Sequence, residues 1–257
     1  MPEHRKVLYK TQEGIARLTL NRPEKRNALD AELINGIKDA MSATAHHAKC
    51  RVVLLTGAGK DFCAGADLAR LEKSAQADVL ENMDDARSMA ELFLMMRHHP
   101  RPIVAAVQGR ALAGGCGLAT ACDIILASES AMFGYPEVNI GFVPAMVMAI
   151  LRRSVSEKAA FELVASGEVV PAARALELGL VHHVYPDDKF QTYVDNYVSR
   201  LAAKSSSALM LSKRLLYQMD STPFDAALEA GIEINAIARM TEDCRNGIER
   251  FLKKGAQ

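Results

Sequence analysis

The chain has 257 residues, 49% hydrophobic and 24% charged, enough for one large packed core or a core with a small appendage. Lysine plus arginine equals aspartate plus glutamate at 31 each, so the basic excess of a nucleic-acid binder is missing. No apolar run reaches the roughly 18 residues of a membrane span. Five cysteines, an odd number with no CxxC pair, read as free thiols of a reducing compartment. The N-terminal stretch MPEHRKVLYK carries no apolar signal core, and the expected location is the cytoplasm.

In chain order, residues 6–10 and 14–20 read as two strands around a turn at Glu13-Gly14. Asp30 is a helix N-cap, and Leu33, Ile34, Ile37 and Met41 follow at helical spacing. Val52 to Thr56 is a buried strand that runs into Gly57-Ala58-Gly59. Residues 70–82 are polar and poorly patterned, which predicts a mobile loop or lid. An amphipathic helix follows over 83–98, stopped by Pro100 and Pro102. Ile103 to Val107 and Ile124 to Ala127 are further buried strands, with a helix over 114–121 between them. Residues 136–144 read as irregular, 145–178 as mostly helical, and Val181 to Tyr185 as a last short strand. From Lys189 onward the pattern is helical, with caps at Ser207, at Thr222 or Pro223, and at Thr241. Strands alternating with helices predict an α/β core over 1–192, and the strandless remainder, 193–257, reads as a helical region that serves assembly.

Two glycine-rich turns follow buried strands. One is Asp61-Phe62-Cys63-Ala64-Gly65-Ala66-Asp67-Leu68; the other runs from Val107 through Ala113-Gly114-Gly115-Cys116-Gly117 to Leu118. Small residues admit a ligand close to the main chain, and one N–H from each turn, with a helix start behind the second, would make an oxyanion hole. Tight helix–strand packing alone also explains such glycines, whereas the phosphate-loop fingerprint GxxxxGK[ST] is absent. Cys63 and Cys116 flank the turns without an identifiable base and read as small packing residues. Three adjacent histidine pairs lack i,i+4 spacing, so no metal site is expected.

Taken together, LNRPEKRNAL at 20–29, FCAGADL at 62–68, AVQGRALAGGCGLATACDIILA at 106–127, FGYPEVNIGFVP at 133–144 and the stretch at 166–184 resemble the crotonase superfamily, the enoyl-CoA hydratase/isomerase family. The resemblance implies a crotonase-like spiral of ββα units with a C-terminal helical trimerisation region. It implies a homotrimer or a homohexamer made of two trimers. It implies an acyl-CoA substrate, with coenzyme A entering as part of that substrate and no permanently bound cofactor. Motif by motif it places the oxyanion amides at Ala66 and Gly114 and an acid/base at Glu137. Apolar neighbours Phe133, Val138, Ile140 and Phe142 are available to raise the pKa of Glu137. It aligns Arg22, Lys25, Ala28, Ala64, Asp67 and Leu68 with the CoA-contacting turns, while Phe251 and Lys254 would reach a neighbouring subunit's site. A solvated basic turn explains Arg22 and Lys25 as well. Tyr135 and Met146 are candidates to border the acyl chain, and Asp123 matches a structural motif.

Hydratases of this family usually carry two glutamates, and the first falls at Gly117 in this chain. Three readings follow. Glu137 handles the water of a 2-enoyl-CoA hydration alone, or with a polar group brought in from another loop, on a branched or unusual enoyl-CoA, as the GxxPA similarity of Gly141 to Ala145 to methylglutaconyl-CoA hydratases suggests. Alternatively Glu137 is the single base of a Δ3,Δ2-enoyl-CoA isomerase. Or the chain performs another thioester reaction, or binds acyl-CoA without turning it over.

Overall fold

The computed structural model describes residues 6–255. A hairpin opens the chain, β1 (Val7–Gln12) antiparallel to β2 (Ile15–Leu20). Helix α1 (Ala31–His46) begins where the Asp30 carboxylate accepts the Leu33 N–H at 2.8 Å. Parallel strands β3 (Val52–Gly57), β4 (Ile103–Val107), β6 (Ile124–Ser128) and β9 (His183–Tyr185) complete a six-stranded sheet in the order β1-β2-β3-β4-β6-β9. A second sheet, in the order β5-β7-β8, joins three-residue strands β5 (Arg110–Leu112), β7 (Met132–Gly134) and β8 (Val169–Pro171).

Strands β3 and β4 are almost wholly buried because both faces of the sheet are covered, which is why they read as unbroken apolar runs. One face packs on α1 and on α3 (Val79–His98), with Leu33, Ile37, Leu92 and Met96 against Val53, Leu55 and Ala105. The other face takes Phe190, Val194, Val198 and Ala202 of α8 (Phe190–Ala202) against Ile15, Leu54 and Val104. Each fully buried aliphatic side chain contributes about 1.5–3 kcal/mol relative to exposure. The expected division at residue 193 falls inside α8, so the layer that covers the sheet continues to Ala202.

The segment 70–82 is not a loop. Helix α2 (Leu68–Gln76) starts at the Asp67 carboxylate, which accepts the Ala69 N–H at 3.0 Å, and α3 starts four residues earlier than expected. A capping box at Asp78 and Glu81 fixes that start. No residue of α2 is buried and its composition is polar, which hides it as a helix; the Asp67 cap marks its start. The irregular stretch after Tyr135 contains a 3-10 turn, Pro136–Ile140, ended by Gly141 at φ 72°. Helices α5 (Ala145–Ser154), α6 (Glu157–Ser166) and α7 (Ala172–Glu177) follow.

Three C-terminal helices close the chain: α9 (Ser206–Gln218), α10 (Phe224–Met240) and α11 (Glu242–Gly255). Ser205, not Ser207, caps α9: its hydroxyl accepts the Ala208 N–H at 3.1 Å, and both serine hydroxyls donate to Asp243. Asp123 ties α9 to the core: its carboxylate accepts from the Ile103 N–H at 2.6 Å, Lys213 Nζ at 2.8 Å and Tyr217 Oη at 2.5 Å. Among the described residues no helix is long and apolar enough to cross a membrane.

Candidate active site

The two glycine-rich turns lie against one another. A Cβ on Gly65, which sits at φ 98°, would come within 2.9 Å of Ala113 Cβ and 3.0 Å of the Leu112 carbonyl, so only glycine lets the turns approach this closely. Cys63 bridges to Ala111, and Leu29 bridges to Ala66. The Leu29 N–H donates to the Gly65 carbonyl at 2.7 Å, and the Asp67 N–H donates to the Leu29 carbonyl at 3.1 Å.

Peptide planarity then orients the next donor. In a trans peptide the N–H points opposite to the C=O. The Gly65 carbonyl faces Leu29, so the Ala66 N–H faces away from it, and that N–H has no acceptor among the described residues. The same holds at the second turn. The Ala113 carbonyl accepts the Gly117 N–H at 2.9 Å, directing it along α4 (Gly114–Thr120), and the Gly114 N–H leaves the helix start without a partner among the described residues. Ala113 itself is strained at φ 50°, ψ −129°, a conformation that favours glycine. Its N–H is anchored on the Gly134 carbonyl at 2.8 Å.

Glu137 is the second residue of the 3-10 turn and is 9% exposed. Its Oε2 is buried with no hydrogen-bond partner. Burial pushes its pKa up, and only a bond to its own backbone amide opposes that shift; no cation and no second carboxylate contributes. The groups that sense its charge are Cys116 and Tyr135. Val138, Ile140 and Phe142 are 43%, 70% and 54% exposed, so they do not supply the apolar surround expected of them. The 3-10 turn directs them outward. Tyr135 does not border an open acyl space either: it is wholly buried, with its hydroxyl 2.8 Å from Thr120 Oγ1.

Gly117 is where the arrangement departs most from a two-carboxylate site. A Cβ there would lie 2.4 Å from Val147 Cγ2 and 3.4 Å from Phe93 Cζ. The position is filled by apolar atoms of α5 and α3. Nothing in the chain pattern predicts this contact, since Val147 stands thirty residues away in a different helix.

Of the other anticipated contacts, Arg22 is engaged within the chain: its guanidinium donates to the Ala28 carbonyl at 2.6 Å and pairs with Asp30 at 3.1 Å and Asp67 at 3.0 Å. Lys25 is exposed. Ala28 is buried, Ala64 is half-buried with its N–H on the Arg26 carbonyl, and Leu68 is 82% exposed. Phe251 is 78% exposed on α11; the side chain of Lys254 lies outside the described residues. Cys63 and Cys116 are fully buried, and burial raises their thiols to about 12 and about 11, so neither is a nucleophile near neutral pH. Among the described residues no three His, Cys, Asp or Glu side chains cluster as a metal site. A cleft of about 470 Å³ between the end of α3 and α9, lined by Arg97, His99, Lys213 and Tyr217, includes none of Ala66, Gly114 or Glu137.

A layered α/β core with two apposed glycine turns, main-chain donors without acceptors among the described residues and a buried carboxylate with an unpartnered oxygen outlines a candidate enzyme site. The chain belongs to the enoyl-CoA hydratase/isomerase family, the crotonase superfamily, whose model matches residues 10–257. A provisionally named enoyl-CoA hydratase of Thermus thermophilus is 39% identical over 240 residues, covering 93% of this chain and 95% of that protein. The 2,3-dehydroadipyl-CoA hydratase of Escherichia coli is 35% identical over 249 residues, covering 96% of each chain. The crystal structure of an enoyl-CoA hydratase from Mycobacterium smegmatis superimposes with a TM-score of 0.93 at 30% identity, over 98% of this chain and 97% of that one.

Proposed function

We propose that the protein hydrates a 2-enoyl-CoA thioester with Glu137 as its single acid/base and the Ala66 and Gly114 amides as the oxyanion hole. The observation that carries this reading is the buried, unpartnered Glu137 oxygen, together with two main-chain donors on apposed turns that lack acceptors among the described residues. The hydratase names of the two relatives at 39% and 35% identity support the reaction type.

In this mechanism the Glu137 carboxylate takes a proton from water as the water oxygen bonds to C3. The C2=C3 electron pair moves through C2 to the thioester oxygen, which the two amides stabilise as an enolate. One such donor is worth about 2.7–4 kcal/mol of barrier. Glu137 then returns the proton to C2, which regenerates the carboxylate and releases a 3-hydroxyacyl thioester. Burial suits this cycle, because a raised pKa brings the carboxyl closer to the working pH of both half-reactions.

One observation favours a second reading. The apolar filling of Gly117 by Val147 and Phe93 leaves no polar side chain there to hold a water. Glu137 then serves equally as the shuttle of a Δ3,Δ2-enoyl-CoA isomerase, which removes a proton from C2 and returns it to C4. Incubation of a panel of 2-enoyl and 3-enoyl CoA esters in D2O separates the two. Hydration consumes 2-enoyl esters and places deuterium at C2; consumption of 3-enoyl esters alone refutes it. Glu137→Gln is expected to keep CoA-ester binding and lose turnover.

For assembly we propose a homotrimer, alone or paired into a hexamer. Apolar side chains exposed on α10 and α11, among them Phe224, Leu228, Ile232, Met240, Phe251 and Leu252, are the surface such an assembly would bury.

A further inference from the structure

We propose that Arg22 is a positioning residue for the turn that carries Ala66, and not a cation held out for the phosphates of coenzyme A; this rests on the reading of the Ala66 N–H as an oxyanion donor. The Arg22 side chain is 11% exposed, and its planar fork joins two segments that are forty-five residues apart. Nη1 donates to the Ala28 carbonyl at 2.6 Å and approaches Asp30 Oδ2 at 3.1 Å, and Nη2 donates to Asp67 Oδ2 at 3.0 Å. Its own N–H donates to Asn27 Oδ1 at 2.8 Å, and Asn27 Nδ2 in turn donates to the carbonyls of Ala58 and Asp61. Ala66 lies between Gly65 and Asp67, both bonded to Leu29, so the guanidinium closes a bracket around the Ala66 peptide.

The local charge opposes phosphate binding at Arg22. The two cations of this network, Arg22 and Lys6, face three carboxylates, because Lys6 pairs with Asp30 and with Glu32, each at 2.6 Å. An incoming phosphate would have to displace Asp67, which also caps α2. Lys25 and Arg26, on the same turn, are exposed and form no ion pair among the described residues, although Arg26 is near enough to act on Asp61; they are better placed than Arg22 to meet an anion. A lysine cannot replace the fork, since a single ammonium on a flexible stem does not span a carbonyl and a carboxylate in fixed geometry.

The test compares one 2-enoyl acyl group carried on coenzyme A and on N-acetylcysteamine, which has no phosphate. Arg22→Gln is expected to lower kcat about ten- to a hundredfold on both thioesters, as a small misplacement of a catalytic group does. Arg22→Lys is expected to rescue little of it. Asp67→Asn, which keeps a capping side chain, is expected to reproduce the defect and to add little to Arg22→Gln. A rise in KM confined to the CoA ester, with turnover of the truncated ester intact, overturns the proposal. Hydrogen exchange gives a readout independent of turnover: amides of residues 65–69 exchange faster in Arg22→Gln, and unchanged exchange there also overturns it. Wild-type protein that turns over neither thioester sinks the hydratase reading, while faster exchange in the variant still upholds the bracket.

Discussion

Gly117 offers the sharpest test of how this site is packed. Adding a methyl there as Gly117→Ala places a carbon 2.4 Å from Val147 Cγ2 and 3.3 Å from its Cγ1. Carbon pairs are comfortable at about 3.5–4.0 Å, so Val147 must retreat by about 1 Å, carrying α5 with it. Overpacking of this kind costs about 1–3 kcal/mol. Alanine regains about 1 kcal/mol over glycine inside a helix. The net expectation is a loss of up to about 2 kcal/mol, or a fall in Tm of up to about 8 °C for a chain of this size. Val147→Ala alone leaves a cavity and costs about 2 kcal/mol. In the double variant the new methyl occupies the vacated space, so the two losses cancel in part, with a coupling of about 1–2 kcal/mol. Urea titration at fixed protein concentration measures all three variants. Losses that add to within about 0.5 kcal/mol would show that residues 117 and 147 do not contend for one space.

Glu137→Gln is expected to stabilise the fold near neutral pH by about 1 kcal/mol, because it removes a buried charge with an unpartnered oxygen. The sign follows from the raised native pKa: the native state holds the proton more tightly than the unfolded chain, which favours folding in acid and is lost as pH rises through the native value. The gain from glutamine must therefore shrink towards about pH 4, and a gain independent of pH refutes it. For the same reason kcat/KM should fall on its acid side above the ordinary glutamate value of about 4.3, as a pH profile would record. Ala113→Gly should relieve the strain at φ 50° and stabilise by about 1 kcal/mol in thermal denaturation, the strain relief exceeding the extra chain entropy. Asp123→Asn leaves the Lys213 ammonium, 9% exposed, without its counter-charge, and should cost about 3 kcal/mol by denaturation while loosening α9 to proteolysis.

Strands β3, β4 and β6 were readable because burial on both faces leaves an uninterrupted apolar signature. The start of α1 was readable because Asp30 and its downstream leucines and isoleucines obey local rules. Helix α2 was hidden by its polar composition and its lack of any buried residue, and β5, β7 and β8 by their dependence on partners, as when Ala111 pairs with Phe133; the equally short β9 was readable only within the longer stretch Val181 to Tyr185. At the site, family motifs nominated Ala66, Gly114 and Glu137, and they marked Gly117 as a gap. They could not reveal that Val147 fills the gap, nor that Arg22 reaches across to Asp67; both facts depend on distant segments brought together by folding. Sequence neighbours likewise misled at Glu137, where the adjacent apolar residues turn to solvent.

Four of the five cysteines are buried, and only Cys244, on α11, is partly open to solvent. Thiol-selective reagents such as maleimides therefore meet one accessible cysteine among the described residues, remote in sequence from both glycine turns. A fluorophore coupled at that thiol would report on movements of α11 without modifying either glycine turn.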